Sequence, residues 1–579
     1  MERVVPSKPS KYINYKNERE CREFQDYMER CYVNFDLSPN VEQEFTIFNE
    51  LWNTAIGSSF KKITPRGNQC SGISDVVREL MKEEKQIRKS ILNNPERGRQ
   101  IAIVRKKIRM EIEENIGKKC LEKVQQIQQS KNPQGEIFKV RREMKKSVQI
   151  GFPLKDSDGI IQVNKKGIDD VVIKHFQKVF DQNPIPEGDM WVKYWKTVDE
   201  VFETIEKSDK VVQYQLPSLL EIKAILASCN NNKAVLGNLK PHLLKLGGEK
   251  VAIWIHKFLR LCCYQEKIPP QLRSESMAIL YKNKGELSSL DNYRGIFIRI
   301  VIMSILQKWM YSKCAPIIDN NGSEYAFGGR KGRSHKEALV ILRLVQDHSR
   351  WTKQPLILKF LDVTKFFDMM NYRKCMIELF KSGVTGKFWR LYKLMNEFKV
   401  CVPHTPMGET GVIQVKEVFV QGSSDAMLMA WNLMDSVNKS SDFNDPVFII
   451  EGIKIPRILF VDDILQMLRS VADLKASLVD DEVIEKVNRF DFKPSKCKVM
   501  FQNCEPEPVE LDNVVLDNVE NHEYLGTIVE ESGYRRKDLL KRVNDCKGVL
   551  NEIVEVLKVN GMNVIRLQYI GLYLCPPAS

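Results

Sequence analysis

Phe460-Val461-Asp462-Asp463 is an acid pair set in a mostly apolar run that covers residues 458–467. The apolar residues on either side predict two short strands, with the carboxylates at or near the turn between them. Adjacent carboxylates between buried strands repel each other and lose hydration. The pattern therefore predicts a compensating cation, and a divalent metal is the first candidate.

A third acid stands one hundred residues upstream. Asp362 ends a β-prone run that begins at Leu356, just as the acid pair ends its own apolar run. Three carboxylates that converge from two strand ends can hold two hard cations, for which Mg²⁺ is the expected ion and Mn²⁺ a substitute. Two ions about 4 Å apart can activate one oxygen and stabilise another in a phosphoryl displacement. We therefore predict that Asp362, Asp462 and Asp463 are catalytic residues and metal ligands.

Three motifs, in this order and spacing, resemble the palm of a reverse transcriptase. They are Asp362 within an FxDxxxFFD pattern, then Gln421-Gly422-Ser423, then the acid pair. The resemblance is to the non-LTR (LINE-type) retrotransposon polymerases. It implies an α+β fold of the right-hand polymerase type, with fingers, palm and a partial thumb behind a helical, basic N-terminal region. It also implies RNA-directed DNA polymerase activity, a nucleotidyl transfer in which a primer 3′-hydroxyl attacks a dNTP, with two Mg²⁺ ions, an RNA template and a DNA primer.

The resemblance assigns roles to further residues of the palm. Val363 is expected to bring its backbone carbonyl near the second ion. Phe367 is the bulky residue under the sugar, where it collides with a 2′-hydroxyl, so that dNTPs are preferred over rNTPs. Lys496, in a segment similar to the family's NPSKxK motif, is expected to help protonate the leaving pyrophosphate. Gln421 and Gly422 are expected to contact the nucleotide or the template.

In the fingers, Lys282 and Arg294 are expected to hold the incoming triphosphate. Lys282 follows an apolar strand, and Arg294 lies in a stretch, residues 292–296, that is similar to the family's NYRxI motif. A triphosphate that leaves as pyrophosphate needs its charge neutralised by fixed cations and metal. Lys284 is the alternate lysine, and a solvated basic hairpin is the alternative interpretation.

Two further segments are expected to contact nucleic acid. The basic, glycine-rich stretch 327–334 resembles the GFRxGRS segment of LINE-type polymerases, whose backbone N–H groups can approach phosphates. Its expected contacts with template or primer are Gly329, Arg330 and Arg333. The stretch 522–526 resembles the primer grip, a hairpin that seats the 3′ end. Its expected contacts are Tyr524, Leu525 and Gly526.

The composition favours an intracellular protein with a polyanionic partner. The 579 residues carry a formal net charge of +14, and residues 101–150 hold 13 Lys or Arg against 6 Glu. This surface can track phosphates, although a solvated face of long helices explains it equally well. The 14 cysteines include no CxxC or CxxxC pair, which indicates free thiols and no structural zinc site. An apolar run of about 18 residues and a secretory signal are both lacking, so we expect no membrane partner and an intracellular protein. The resemblance to retroelement enzymes implies action in the nucleus, with the cytoplasm as a second location.

Four segments are expected along the chain. Residues 1–210 form a helical, basic extension, 211–350 the fingers, 351–530 the palm with its motifs, and 531–579 a partial thumb. No endonuclease is expected upstream, and the thumb is expected to be truncated.

Alternatives stay open. The first is a catalytically inactive, truncated nucleic-acid-binding remnant of such an element, since a polymerase fold can persist after its thumb is lost. The second is a related class, such as a group II intron or telomerase-type reverse transcriptase. The third is a phosphatase or nuclease built on clustered acids, which leaves the motifs at 421–423 and 524–526 unexplained. The sequence leaves the template, target site, priming mode and oligomeric state undecided.

Overall fold

The computed structural model divides the chain into two compact units. The first is built from Met1–Thr64 and Val148–Tyr534, and the second from Pro65–Ser147 and Arg535–Ser579. The residues that the structure describes are 17–31, 37–60, 75–89, 100–108, 110–111, 153–181, 184–208, 215–231, 233–282, 285–364, 366–405, 407–417, 419, 424–440, 448–455 and 457–559. No helix among them is long and apolar enough to cross a bilayer.

Helices and strands alternate along the described chain. The helices are α1 (Glu18–Cys31), α2 (Val41–Ser59), α3 (Asp75–Lys89), α4 (Lys165–Asp181), α5 (Asp189–Glu206), α6 (Leu219–Ser228), α7 (Pro241–Leu246), α8 (Gly248–Gln265), α9 (Val301–Asn320), α10 (His335–Thr352), α11 (Phe366–Met369), α12 (Tyr372–Lys381), α13 (Gly386–Asn396), α14 (Ser424–Ser440), α15 (Val471–Asn488) and α16 (Arg536–Val559). The strands are β1 (Leu154–Lys155), β2 (Ile161–Gln162), β3 (Ser274–Tyr281), β4 (Tyr293–Arg299), β5 (Leu356–Asp362), β6 (Glu397–Thr405), β7 (Gly408–Glu409), β8 (Ile413–Glu417), β9 (Phe448–Ile450), β10 (Ile453–Ile455), β11 (Ile458–Phe460), β12 (Asp463–Leu468), β13 (Lys498–Gln502), β14 (Glu510–Leu511), β15 (Val514–Val515), β16 (Asp517–Asn518), β17 (Asn521–Tyr524) and β18 (Thr527–Glu530). The predicted α+β class and the helical N-terminal region are confirmed.

The first helices pack against helices of the predicted fingers. Asn40 caps α2 by accepting the N–H of Glu42 at 2.9 Å, as a short polar side chain does at a helix start. One turn further on, Phe48 stacks on Trp254 of α8 with ring centroids 3.4 Å apart. The indole N–H of Trp254 donates to Glu44 at 2.6 Å. The apolar face of α2 is therefore a packing face in one core with α8.

A five-stranded sheet in the predicted fingers has the order β4-β3-β6-β7, with β8 also paired to β6. β3 lies between β4, to which it is antiparallel, and β6, to which it is parallel. Arg294 lies opposite Leu280 in this register and is exposed near the start of β4. Since alternate residues of a strand point to opposite faces, Arg294 faces away from the buried neighbour Tyr293.

A second sheet in the predicted palm has the order β11-β12-β5-β13-β16. β5 lies in the middle, antiparallel to β12 and β13, as its nearly continuous apolar run predicts for a fully buried strand. On one face Phe360 packs in a cluster with Leu342 of α10. On the other, Leu361 belongs to the core that includes Leu474 of α15. Helices thus cover both faces of the strand that ends at Asp362.

One charged residue interrupts the apolar run of β5. Lys359 is 0% exposed, and its ammonium donates to the carboxylate of Asp481 and to the hydroxyl of Ser477 at 2.9 Å, both on α15. Burial lowers the pKa of Lys359, and the charge of Asp481 raises it again. The ion pair therefore anchors α15 to the middle of the central strand.

We expect Asp481→Leu to lower the free energy of unfolding by about 3–5 kcal/mol, because the charge of Lys359 is then buried without its carboxylate. The loss is measured by chemical denaturation. The matched double variant, Lys359→Met with Asp481→Leu, should recover a large part of it, since neither charge of the pair remains. A double variant as unstable as Asp481→Leu would contradict this explanation.

The second unit contains α3, helical residues 100–108 and α16. Val77, Val104 and Ile108 form a small buried cluster in it. α16 follows the predicted palm, where the thumb is expected, and that assignment stays a prediction. The remainder of the basic stretch 101–150, beyond residue 111, lies outside the described residues.

Candidate active site

A tight turn between β11 and β12 carries the acid pair. Phe460 is paired with Asp463, which leaves Val461 and Asp462 as the two residues of the turn. Val461 is buried and has a φ of 61°, in the left-handed region that β-branched residues rarely adopt. Such a conformation persists only where the surrounding structure holds it in place.

The stretch before α10 provides that support. The N–H of Phe327 donates to the carbonyl of Leu459 at 2.8 Å, and the N–H of Leu459 donates to the carbonyl of Tyr325 at 3.0 Å. At Gly328, an added Cβ would lie 2.4 Å from the backbone nitrogen of Val461. Only glycine allows this close approach, so the start of the basic loop, residues 327–334, is packed directly on the acid turn.

The three predicted acids come together at the ends of β5 and β12. Asp463 lies directly opposite Asp362 in the strand register, and Asp462 precedes it in the turn. Burial, followed by the charges of Asp462 and Asp362, raises the pKa of Asp463 to about 6. Burial also raises the pKa of Asp462, and the charges of Lys496 and Arg294 oppose this shift. The site therefore has more negative charge than its protein surroundings balance.

Lys496 forms an ion pair with Asp362. Its ammonium donates to both carboxylate oxygens of Asp362, at 2.8 and 2.5 Å. Within the described part of the chain, no three His, Cys, Asp or Glu side chains are arranged as a ready metal site. The donor set still fits Mg²⁺ in kind, because carboxylate oxygens are its preferred ligands and the raised pKa of Asp463 indicates unbalanced charge. An ion at Asp362 would compete with Lys496 for this carboxylate.

Two predicted palm residues lie just beyond Asp362. Val363 is buried and forms an isolated antiparallel bridge with Phe492. Phe367 is half-buried at the start of α11, with its ring 5.7 Å from that of Phe366. The predicted nucleotide contacts Gln421 and Gly422 lie outside the described residues.

Of the two predicted triphosphate cations, Arg294 lies on β4 and Lys282 follows directly after the end of β3. Arg294 is close enough to Asp462 for its charge to lower the pKa of that acid. The ammonium of Lys282 donates to the carbonyl of Asp291 at 2.8 Å, which ties it to the loop before β4. Lys284, the alternate lysine, lies outside the described residues. The structure thus brings Arg294 towards the acids and gives Lys282 an internal contact.

Arg330 does not face outward, which revises its predicted contact with nucleic acid. Its side chain is 4% exposed and pairs with Asp319 at 2.6 Å. The guanidinium also donates to the carbonyl of Ala326 at 3.1 Å and lies over the ring of Trp431, 5.3 Å from its centroid. A guanidinium saturated by internal acceptors cannot bind phosphate without breaking them. Arg330 therefore fixes the loop.

The other two predicted contacts of this loop differ from each other. Gly329 has a φ of 78°, and a Cβ there would lie 2.8 Å from Met427, so this glycine is required by packing on α14. Arg333 is exposed, with its guanidinium 5.8 Å from the ring centroid of Phe327. Of the three residues, Arg333 presents its charge to solvent, and it keeps its predicted role.

The hairpin of β17 and β18 also revises one assignment. Tyr524 is 4% exposed and its ring lies 5.5 Å from that of Phe360. Burial and the charge of Asp463 raise the pKa of Tyr524 far above its ordinary value. It therefore packs under the acids and cannot meet a primer directly. Leu525 and Gly526, with φ of 48° and 77°, form the two-residue turn of this hairpin. That turn can contact a primer.

Sequence reasoning missed three buried polar residues that position the site: Lys359, Asp481 and Glu485. The signal for Lys359 was available, because a lysine inside an apolar strand needs a buried partner. The partner itself could not be found from the sequence, since α15 contains several acids and only the fold shows which of them face inward.

Comparison with known proteins bears on this arrangement. Residues 281–529 match the family model described as reverse transcriptase (RNA-dependent DNA polymerase). The chain contains a reverse transcriptase domain. Its enzyme class is RNA-directed DNA polymerase, and its partners are accordingly a nucleic-acid template and primer. The matched residues of the reverse transcriptase domain include all three acids, Lys496 and Arg294.

Comparisons with curated proteins and with solved structures add no functional assignment. No curated protein matches the chain. Among the solved structures that match is apo telomerase from Candida tropicalis, truncated from its C-terminal domain. It is 11% identical, the match covers 81% of this chain and 97% of that chain, and the TM-score is 0.33.

The two arginines of the basic loop give a matched test. We expect Arg330→Ala to lower the free energy of unfolding by about 1–3 kcal/mol, because backbone carbonyls of the loop and the half-exposed carboxylate of Asp319 lose a buried donor. Arg333→Ala should leave stability within about 0.5 kcal/mol and weaken binding of a primer–template duplex.

Chemical denaturation measures the first effect, and fluorescence anisotropy with a labelled duplex at several salt concentrations measures the second. Loss of one phosphate contact reduces the slope of log affinity against log salt by about 1. If Arg330→Ala left stability unchanged and reduced this slope instead, the buried assignment of Arg330 would fail.

Proposed function

We propose that the chain is the reverse transcriptase of a non-LTR (LINE-type) retroelement, which copies an RNA template by extending a DNA primer with dNTPs. The observation that supports the chemistry is the register of β5 and β12, which sets Asp362 opposite Asp463 with Asp462 in the adjoining turn. The motif order in the sequence supports the LINE-type assignment. We also propose that the enzyme acts in the nucleus, where such an element would integrate.

The three acids would hold two divalent ions, Mg²⁺ by preference and Mn²⁺ as a substitute, and Val363 would add its carbonyl to the second. When bound, those ions would acidify the primer 3′-hydroxyl and neutralise the charge of the leaving group. Arg294 would bind the triphosphate, and the effect of its charge on the pKa of Asp462 supports this role. Lys282 would join it once its contact with the Asp291 carbonyl is exchanged for a phosphate oxygen.

The remaining roles follow from position. Lys496 holds its ammonium beside Asp362, from where it can deliver a proton to the leaving pyrophosphate. Phe367, half-buried behind the first acid, would close the space beside C2′ of the sugar. Arg333 on the basic loop and the turn at Leu525 and Gly526 would contact template and primer.

Incorporation of dTTP on a poly(rA)–oligo(dT) duplex, with Mg²⁺ or Mn²⁺, tests the proposal. We expect wild-type activity, and a loss of about three orders of magnitude or more in the double variant Asp462→Ala, Asp463→Ala, because the charge that holds the ions is removed. The matched control is Asp170→Ala, an exposed acid on α4, which should behave as wild type. A wild type that binds the duplex and incorporates nothing in either metal would favour the inactive nucleic-acid-binding remnant instead.

Phe367→Ala tests the sugar contact on the same duplex. A smaller side chain opens space for a 2′-hydroxyl, so kcat/KM for UTP should rise relative to dTTP by about 10- to 100-fold. The dTTP kinetics of the same variant are the control, and they should change little. An unchanged ratio of UTP to dTTP would show that another residue selects the sugar.

A further inference from the structure

A second buried acid lies one helical turn beyond Asp481 on α15. Glu485 is 8% exposed, and residues four apart on a helix share one face. Asp481 forms an ion pair with Lys359 in the middle of β5. Lys359 lies three residues before Asp362. Glu485 therefore points from the same helix towards the carboxyl end of the same strand.

The carboxylate of Glu485 binds backbone, and within the described residues no Lys, Arg or His forms an ion pair with it. It accepts the N–H of Phe492 at 2.5 Å. This bond bridges the left-handed residue Arg489, with a φ of 55°, that ends α15. It fixes the direction in which the chain leaves the helix, towards the strand of the catalytic acid.

The segment held in this way is bonded to the end of β5 on both sides of Phe492. The N–H of Thr364 donates to the carbonyl of Asp491 at 2.8 Å, and the N–H of Lys493 donates to the carbonyl of Asp362 at 2.9 Å. Val363 and Phe492 form the bridge between these two bonds. Residues 491–493 are thus bonded to the end of β5 on one side and to Glu485 on the other.

Directly after this segment, the chain forms a turn that contains Lys496. The N–H groups of Lys496 and Cys497 both donate to the carbonyl of Lys493, at 2.8 and 3.0 Å. This turn aims the ammonium of Lys496 at the carboxylate of Asp362. A continuous series of hydrogen bonds therefore runs from Glu485 through Phe492 and Lys493 to Lys496.

The surroundings of Glu485 are unfavourable to a carboxylate charge. Burial raises the pKa of Glu485 to about 8, and the neighbouring acids Asp512, Asp491 and Asp481 contribute, against the lowering effect of the Phe492 N–H. An uncharged carboxyl still accepts an N–H through its carbonyl oxygen. A glutamine side chain offers the same acceptor, which makes it a close substitute at this position.

We propose that Glu485 is a positioning residue of the polymerase reaction, which holds residues 491–493 against the end of β5 and thereby places the Lys496 ammonium at Asp362. This inference rests on the proposed function, because Lys496 matters only if the site transfers nucleotides. Glu485 itself touches neither substrate nor metal in this assignment. Its effect on the rate passes through Lys496.

Steady-state dTTP incorporation on poly(rA)–oligo(dT) tests the inference with five proteins: wild type, Glu485→Ala, Glu485→Gln, Lys496→Ala and the double variant Glu485→Ala, Lys496→Ala. We expect Glu485→Ala to lower kcat by about 10- to 100-fold, because a displaced proton donor loses much of its contribution, with KM for dTTP within about twofold. Glu485→Gln should stay within about threefold of wild type because its amide oxygen accepts the Phe492 N–H. The double variant should be no slower than Lys496→Ala.

Glu482→Ala, an exposed acid one turn earlier on α15, is the matched control and should equal wild type. Duplex binding by anisotropy and a thermal unfolding midpoint confirm that each variant is folded. If Glu485→Ala fails to fold, Glu485→Asp replaces it, since the shorter side chain weakens the same bond and should give a smaller loss of kcat.

Three outcomes overturn the inference: unchanged kcat in Glu485→Ala, losses that multiply in the double variant, or a Glu485→Gln variant as slow as Glu485→Ala. These outcomes leave the proposed function intact, because the wild type remains active in each. An inactive wild type overturns both.

Discussion

The antiparallel pairing of β5 with β12 sets Asp362 opposite Asp463, and three carboxylates then share one partly buried space. Their repulsion and desolvation appear in the raised pKa values of Asp462 and Asp463. Such an arrangement needs rigid backbone on every side and positive charge nearby. The start of the basic loop supports the turn, and the segment after α15 supports the end of β5. Lys496 and Arg294 bring the positive charge.

α15 connects these requirements. Its Asp481 meets a lysine in the centre of β5, and its Glu485 meets the backbone beyond the end of that strand. Buried ionic contacts contribute little net stability compared with apolar side chains of the same volume. Their value in this palm is geometric, because they determine where one strand and one loop lie relative to each other. Sheet order alone would permit α15 to shift along its own axis.

The sequence predicted the parts of this site that repeat a local pattern. Acids at the ends of apolar runs located the strands β5, β11 and β12, and a shared metal site predicted that the acids converge; the pairing of β5 with β12 comes from the structure. Arg330 and Tyr524 were harder, because their motifs predict the loop and the hairpin correctly and say nothing about which side chains turn inward. Arg330 turns inward because it packs against α14, and Tyr524 because it packs against Phe360. Both contacts join residues about a hundred or more positions apart in the chain. Glu485 had no local signal, since its partner is a backbone N–H.

The contact of Gly328 with the backbone of Val461 has a consequence for engineering. The basic loop begins at the hydrogen bonds between Tyr325, Phe327 and Leu459, so it cannot be exchanged independently of them. Grafting the corresponding loop of another polymerase would also replace the backbone against which the acid turn packs. In a working chimera, the loop and β11 would therefore have to come from the same parent polymerase.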